Sequence, residues 1–388
     1  MIPSSLSPEE TRQAAVHAVW TFPSVLASAF VVAWGAEAAQ FYISQGLALA
    51  LLAWLQTLPE FAVEAAIAWQ QDVPLMTANF TGALRLLTGV GWPMIWVVFA
   101  VTRWLRGSRD RWPSIQLDHE HSAEIVGLIP PLIYFAWIIV KGTLGLGDAA
   151  ALIALYLGYL ALLNRLPPKQ QEEVEDVARV ARAVIRMPPT GRWLSIAGLF
   201  LLGGTALYFV ATPFLESMKG LALALGVAPF VFVQWVAPFL SEFPEKTSAF
   251  YWARSRGKAG MALMNMVSSN INQWTVLAAM IPIVYSISLG HPAAVPLHEH
   301  RVELILTLLQ SALGMVILAN LRFEAYEAAG LFALWFAQFL KPDWREEMCV
   351  LYAAWLAVEV VSAIWRPGRL HAFAVFPTLW RRTDRKPR

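Results

Sequence analysis

The chain alternates long apolar runs with short polar segments. Runs such as 194–215 and 304–321 hold about 20 nearly all apolar residues, enough for an α-helix to cross about 30 Å of hydrocarbon. Turn and charge signals between the runs give eleven predicted spans, at 14–36, 42–70, 74–101, 123–140, 148–164, 193–215, 222–253, 259–288, 302–320, 324–340 and 347–365. Short alternating segments of the outer-membrane barrel type are missing from the sequence. The pattern therefore predicts an all-α polytopic membrane protein.

The polar segment LPPKQQEEVEDVARVARAVIRMPPTGR separates the fifth predicted span from the sixth. This segment and the spans around it divide the chain into four predicted regions. Residues 1–164 form a first unit of five spans, and 165–192 form a linker helix at the membrane surface. Residues 193–340 form a second unit of five spans, and 341–388 add one more span and a basic tail.

The two units resemble each other in sequence. HEHSAE at His119 matches HEHRVE at His298, the Pro-Glu pair ending at Glu60 matches that ending at Glu245, and Asn79 matches Asn265. The separation between matched residues is nearly the same for all three motifs, so the register is nearly constant. Because five is an odd number of spans, the second unit must enter the membrane from the opposite side. Two inverted five-helix repeats are typical of secondary transporters, whose substrates bind near the midplane.

Composition and charge indicate the surroundings of the protein. The sequence is 57% hydrophobic and 14% charged, with a formal net charge of +2. Its basic residues lie mostly in loops, which favours the lipid bilayer, and not nucleic acid, as a partner. Alternate loops divide these residues twenty-one to six. The positive-inside rule then predicts an inner (plasma) membrane protein with its amino terminus outside and its linker and carboxy terminus in the cytoplasm.

Two Pro-Glu pairs interrupt apolar spans, Pro59-Glu60 in the first half and Pro244-Glu245 in the second. A charged residue at the bilayer centre costs about 2.5 to 3.5 kcal/mol on insertion scales. A proline inside a helix also removes a backbone hydrogen bond. Together they supply carboxylates and freed carbonyls, the hard oxygen ligands that small cations need. The pairs therefore predict an intramembrane cation site.

Further polar residues fall near these glutamates. Glu64 follows Glu60 by one helical turn, while Glu242, Glu245 and Lys246 share one helix face. The next span of each half brings amides and hydroxyls: Thr77, Asn79 and Thr81 in the first, and Asn265, Ser268, Ser269, Asn270, Asn272 and Gln273 in the second. Glu37 and Glu216, near span ends, are interpreted as interfacial, and the two His-Glu-His segments as helix starts.

The sequence resembles the calcium/cation antiporter superfamily, the sodium/calcium exchangers and their relatives. That family has two inverted repeats, each with a Gly-Thr-Ser-Leu-Pro-Glu motif and a Gly-Asn-x-x-Gly-Ser-Asn-Ile motif. The corresponding segments here read LQTLPE and ANFTGALR in the first half, and LSEFPE and MNMVSSNI in the second. The resemblance implies that Glu60 and Glu245 are the central cation ligands, helped by Thr57 and Ser269. Asn79, Asn265, Glu64 and Glu242 complete the expected ion-binding set.

This chain departs from the family pattern at charged positions. Ala83-Leu84 replaces the first Ser-Asn pair and is followed by Arg85, while Lys246 stands beside Glu245. Arg85 and Lys246 are therefore expected to act as tethered counter-ions.

Two functions remain open at this point. The first is an antiporter that exchanges sodium, calcium or protons by alternating access, with spans one and six sliding past a rigid core. The second is a non-transporting scaffold in which salt bridges of Glu60 and Glu245 with Arg85 and Lys246 replace the ion. No cofactor is expected besides transported cations. An enzyme is not expected, because the spans contain no nucleophile-base pair or zinc motif.

Overall fold

The computed structural model describes residues 8–42, 54–110, 112–165, 174 and 177–383, and these are mostly helical. The helices of the first half are α1 (Pro8–Ala39), α2 (Leu58–Trp69), α3 (Val73–Leu86), α4 (Trp92–Leu105), α5 (Ser122–Gly127), α6 (Ile129–Lys141) and α7 (Leu146–Arg165). After α8 (Arg179–Ile185) in the linker come α9 (Pro189–Ala224), α10 (Pro229–Ser241), α11 (Phe243–Arg254), α12 (Ala259–Asn272), α13 (Ala278–Leu289), α14 (Arg301–Leu318), α15 (Ala325–Leu340), α16 (Arg345–Trp365) and α17 (His371–Thr383).

Most predicted spans correspond to long apolar helices. Within the described residues, eight helices are long and apolar enough to cross a membrane. Predicted span seven is two helices, α10 and α11, and predicted span ten is the shorter α15. Of predicted span two, residues 43–53 lie outside the described residues and α2 forms the remainder. Helix α17 was not predicted, because its polar and basic residues give no span signal.

Two short strand pairs display the inverted repeat directly. Strand β1 (Ile115–Gln116) pairs antiparallel with β4 (Arg322–Phe323), and β2 (Thr143–Leu144) pairs antiparallel with β3 (Val295–Pro296). Each pair joins the loop after the third span of one repeat to the loop after the fourth span of the other. Helices α5 and α6 run between β1 and β2, so the pairs lie at opposite ends of the helix layer. The prediction of two inverted five-helix repeats is confirmed.

The third span of each repeat contains a π-helical turn at the same place. Leu87–Gly91 joins α3 to α4, and Gln273–Leu277 joins α12 to α13. The first residues of the two turns are as far apart in the sequence as Asn79 and Asn265. Such turns rotate the following residues relative to a regular helix and are frequent at functional sites.

The first helices of the two repeats, α1 and α9, pack against each other in antiparallel directions. Gly203 lies against Val32, and Gly220 lies against Ala14, so glycines permit a close approach. A hydrogen bond of 2.7 Å joins the hydroxyls of Thr21 and Ser217 across this contact.

The end of α1 also contacts the linker, which corrects one expectation. Glu37 is not interfacial: it is buried and accepts hydrogen bonds from the Ser248 hydroxyl at 2.9 Å and the Ala178 amide at 3.0 Å. The residue faces inward because α1 packs against α11 there, a contact that a single-span pattern cannot reveal. Glu216 is exposed, and its position at the membrane interface stays a prediction. Linker residues 166–173, 175 and 176 lie outside the described residues.

We expect the substitution Gly203→Leu to destabilise the protein, because a Cβ atom added at Gly203 would lie 2.7 Å from Val32 Cγ2. Overpacking of this kind costs about 1 to 3 kcal/mol. The neighbouring Gly204 is exposed and has no atom within 4 Å of an added Cβ, so Gly204→Leu is the matched control. Thermal unfolding in detergent should show a lower midpoint for Gly203→Leu only. Equal midpoints for the two variants would mean that α1 and α9 do not cross at Gly203.

Candidate ion-binding site

Each Pro-Glu pair lies in the first turn of a new helix. Pro59 is the second residue of α2 and Pro244 is the second residue of α11, positions where the missing proline N–H costs nothing because the first-turn N–H groups have no partner within the helix. Glu60 and Glu245 therefore lie near helix amino termini, where the helix dipole stabilises negative charge. Both side chains are fully buried.

The first-half carboxylates each accept one hydrogen bond from an amide. Glu64 Oε2 accepts from Asn79 Nδ2 at 2.6 Å, and Glu60 Oε2 accepts from Gln273 Nε2 at 2.8 Å. Asn79 belongs to α3 of the same repeat, whereas Gln273 comes from the other repeat. The Thr57 hydroxyl donates to the Trp54 carbonyl at 2.8 Å, just before the start of α2.

The second-half carboxylate is held by residues of α12. Glu245 Oε1 accepts from the Ser269 hydroxyl at 2.5 Å and lies 3.5 Å from Asn265 Nδ2. Asn265 Nδ2 also donates to Gln56 Oε1 at 3.3 Å, which links the site to the first repeat. The predicted partners Ser269 and Asn265 thus lie beside Glu245.

One amide bridges the two repeats at the centre of the site. Gln273 Nε2 donates to Glu60 Oε2 at 2.8 Å and to Glu242 Oε1 at 2.7 Å. In the sequence Gln273 is one of several polar residues of its span and has no predicted role, and Gln56 was not predicted to belong to the site. Gln273 is the first residue of the second π-helical turn. A hydropathy pattern does not show such a local change in helix winding, so the sequence does not indicate which residues Gln273 contacts.

Several buried oxygens of the site have no hydrogen-bond partner among the described residues. They are one carboxylate oxygen each of Glu60, Glu64 and Glu245, and the amide oxygens of Asn79, Asn265 and Gln273. An unsatisfied buried acceptor costs about 1 to 3 kcal/mol. In the described part of the chain no three His, Cys, Asp or Glu side chains form a compact metal cluster. A cation here would consequently need amide and hydroxyl ligands in addition to the carboxylates.

Comparison with known proteins identifies the family. The sequence model described as "Sodium/calcium exchanger protein" matches residues 13–164 and 195–340. The chain belongs to the sodium/calcium exchanger family. Members of this family are transporters, and this exchanger is a multi-pass membrane protein that performs cation antiport.

Solved structures agree with this assignment. A crystal structure of the H⁺/Ca²⁺ exchanger CAX is 30% identical, with a TM-score of 0.84, over 95% of this chain and 91% of that one. The sodium-calcium exchanger NCX_Mj is 18% identical, with a TM-score of 0.54, over 85% of this chain and 99% of that one, and shares the fold. No curated protein sequence matches this exchanger.

The two candidate counter-ions form ion pairs with other acids. Lys246 Nζ lies 2.5 Å from Glu242 Oε2, and Arg85 Nη2 lies 2.6 Å from Glu303 Oε2. The expectation that Arg85 neutralises a Pro-Glu carboxylate is therefore corrected. Arg85 follows Asn79 by six residues, which is about 9 Å along the helix and on another face. The scaffold hypothesis required salt bridges from Glu60 to Arg85 and from Glu245 to Lys246, and the structure pairs these cations differently.

Glu303 was missed as the partner of Arg85, although it ends the repeated HEHRVE segment. Arg345 Nε lies 2.6 Å from its other oxygen, so Glu303 contacts two arginines. The Arg85 guanidinium also lies 5.2 Å from the Trp235 ring centroid and donates to Gln338 at 3.2 Å. This cluster connects α3, α10, α14 and α15.

Replacing both Arg85 and Glu303 by methionine should destabilise the exchanger less than the sum of the two single changes. Removing one partner of a buried ion pair typically costs about 3 to 5 kcal/mol, whereas apolar replacement of both is often neutral. Thermal midpoints in detergent for the single and double variants test this. Lys219→Met, which breaks a half-exposed pair with Asp72, should have little effect and serves as a control. Strictly additive losses would show that Arg85 and Glu303 are not coupled.

Proposed function

We propose that this exchanger moves calcium in exchange for protons, with Glu60 and Glu245 as the ligands that the two ions share. The observation that carries the proposal is the state of these glutamates. Both are fully buried, and each keeps one carboxylate oxygen without a partner among the described residues. The basic residues nearest to them in sequence are bound to Glu303 and Glu242.

The charge balance of the site favours competition between protons and a cation. Glu60, Glu64, Glu242 and Glu245 are fully buried, and Lys246 is the basic residue paired with one of them. When all are ionised, the five side chains carry a net charge of about −3, and each uncompensated buried charge costs several kcal/mol. Bound protons or a divalent cation lower this cost. Since both neutralise the same carboxylates, binding of one should release the other, and this is the requirement for antiport.

The ligand set supports calcium as the cargo. Calcium takes six to eight oxygen ligands from carboxylates, carbonyls and amides in flexible geometry. Glu60, Glu245 and the amide oxygens of Asn79 and Asn265 would supply such oxygens, with the hydroxyls of Thr57 and Ser269 beside them. The relative with 30% identity is itself named an H⁺/Ca²⁺ exchanger.

A difference between the repeats argues against several sodium ions binding at once. The second repeat carries Ser269 and Asn270 on α12, whereas the corresponding residues on α3 are Ala83 and Leu84. All four residues are buried. Side-chain oxygens at this position are consequently present in one repeat alone, which leaves fewer ligands for additional monovalent ions.

Helices α1 and α9 are suited to be the moving part. The membrane-spanning windows of α1, α9 and α16 are 28%, 22% and 22% buried, against 61% for the helices that contain the two π-helical turns. Of these three, α1 and α9 are the repeat-related pair that contact each other. Their contact with each other includes small residues and the Thr21 to Ser217 hydrogen bond. We infer that this pair slides across the core and opens the site to each face in turn, as in other inverted-repeat carriers.

Changing Glu60 or Glu245 to glutamine should reduce calcium flux by about tenfold or more, because the amide keeps the size of the side chain but cannot neutralise the ion. The measurement is calcium uptake into proteoliposomes with a proton gradient and then a sodium gradient imposed. Glu216→Gln, a change at an exposed glutamate of α9, is the matched control.

Calcium uptake by the wild-type protein should increase when the proton gradient is imposed. Calcium uptake driven by sodium alone would refute proton coupling while leaving the ligands in place. Unchanged flux in both glutamine variants would refute the ligand assignment.

A further inference from the structure

A basic cavity lies where two membrane-embedded helices end. Helices α4 and α11 end at Leu105 and Arg254, and the cavity between their ends has a volume of about 460 Å³. Its lining includes four arginines, Arg103, Arg106, Arg254 and Arg256. The cavity is formed from other residues than the ion-binding site. It lies at the face predicted to be cytoplasmic.

The described part of the chain does not neutralise the positive charge of this cavity. Among the described residues, none of the four arginines forms an ion pair with a carboxylate. Arg106 Nη2 donates to the Arg254 carbonyl at 2.8 Å, which satisfies one carbonyl at the end of α11. Two helix carboxy termini contribute about one negative charge between them. Asp110, whose backbone N–H donates to the Ser108 hydroxyl at 3.3 Å, adds one carboxylate nearby. Four guanidinium groups still exceed these negative charges, so the cavity retains a net charge of about +2.

The fold does not require these arginines, as the repeat-related position shows. The ends of α2 at Trp69 and of α13 at Leu289 are the repeat equivalents of the ends of α11 and α4. At that junction, on the opposite face, Gln71 donates a hydrogen bond to Ser288 at 3.2 Å. The segments WQQ and SLG there contain no basic residue. Lys219 of α9 reaches this junction and donates to Gln70 at 3.2 Å, but it forms an ion pair with Asp72 at 3.0 Å. The excess of positive charge is therefore found at one of the two junctions.

Apolar residues beside the cavity place it at the membrane surface. Trp104 is 69% exposed, Leu105 is 71% exposed and Tyr251 is 56% exposed. Exposed aromatic residues at the ends of spans typically lie at the level of the lipid headgroups. Ser108 also lines the cavity, and its hydroxyl can donate a hydrogen bond, whereas the Ser255 hydroxyl donates to the Tyr251 carbonyl at 3.2 Å. The surroundings thus combine apolar contact surface for acyl chains with donors for an anion.

We propose that this cavity binds the phosphate group of an anionic phospholipid. Arginine is suited to this role because its planar guanidinium can bind two phosphate oxygens at once. Basic pockets between spans on the cytoplasmic side are a recurrent form of anionic headgroup recognition. Inorganic phosphate shares this chemistry, and the apolar rim favours the lipid.

The test measures the thermal midpoint of the detergent-solubilised protein against increasing short-chain phosphatidylglycerol, phosphatidylcholine or inorganic phosphate. Phosphatidylglycerol should raise the midpoint, and phosphatidylcholine should have little effect. Two variants remove two arginines each: Arg103→Gln with Arg256→Gln, and Arg106→Gln with Arg254→Gln. Because each arginine near the surface contributes about 1 kcal/mol to anionic lipid binding, each pair should weaken the apparent affinity about 30-fold.

Arg322→Gln with Arg366→Gln is the matched control, since it removes the same charge from exposed residues elsewhere on the predicted cytoplasmic side. The first variant keeps the Arg106 to Arg254 hydrogen bond, so its fold should persist if the second variant fails to fold. If inorganic phosphate at the same concentration raised the thermal midpoint equally, the ligand would be a free anion and not a lipid, and the proposal would be wrong. The proposal would be overturned if the variant that lacks Arg103 and Arg256 bound phosphatidylglycerol as tightly as the wild-type protein or the control does.

Discussion

The structure depends on burying negative charge without a matching positive charge. Glu60 and Glu245 lie in the first turns of α2 and α11, inside a layer of helices that excludes water from them. The helix dipoles and a few hydrogen bonds from Gln273, Ser269 and Asn265 offset part of the cost. We propose that a mobile cation offsets the remainder of this cost. A protein that satisfied these carboxylates with its own arginine and lysine would be more stable without the ion and would have no reason to bind it.

The inverted repeat determines where the helices of the site lie, and the residues that differ between the two repeats determine how the carboxylates of the site are bound. The strands β1 and β2, the first π-helical turn and the first Pro-Glu pair each have a counterpart in the second half at a nearly constant spacing. By contrast, Gln273 corresponds to Leu87 in the first repeat, and Lys246 corresponds to Phe61. Gln273 bridges Glu60 and Glu242, so one amide from the second repeat connects carboxylates of both. An asymmetric site of this kind can hold one ion centrally although the scaffold around it is nearly symmetric.

Much of the fold could be predicted because membrane spans, prolines and repeated motifs are local features. The eight long apolar helices of the described residues and the contacts of Glu245 with Ser269 and Asn265 belong to this group. Contacts between distant segments could not be predicted in the same way. The Arg85 to Glu303 ion pair joins two residues far apart in the sequence, and hydropathy does not indicate which face of α14 meets α3. Glu37 was misjudged for the same reason, since its burial depends on α11 and the linker.

Proton release on calcium binding tests the central claim most directly. Calcium is added to the purified exchanger in weakly buffered detergent solution while a pH indicator is followed. Because carboxylate ligands must lose their protons to bind a metal ion, roughly one to two protons should be released per calcium bound. The Glu60→Gln and Glu245→Gln variants should release fewer or none, and Glu216→Gln should behave like wild type. Saturable calcium binding without any proton release from the wild-type protein would contradict the account.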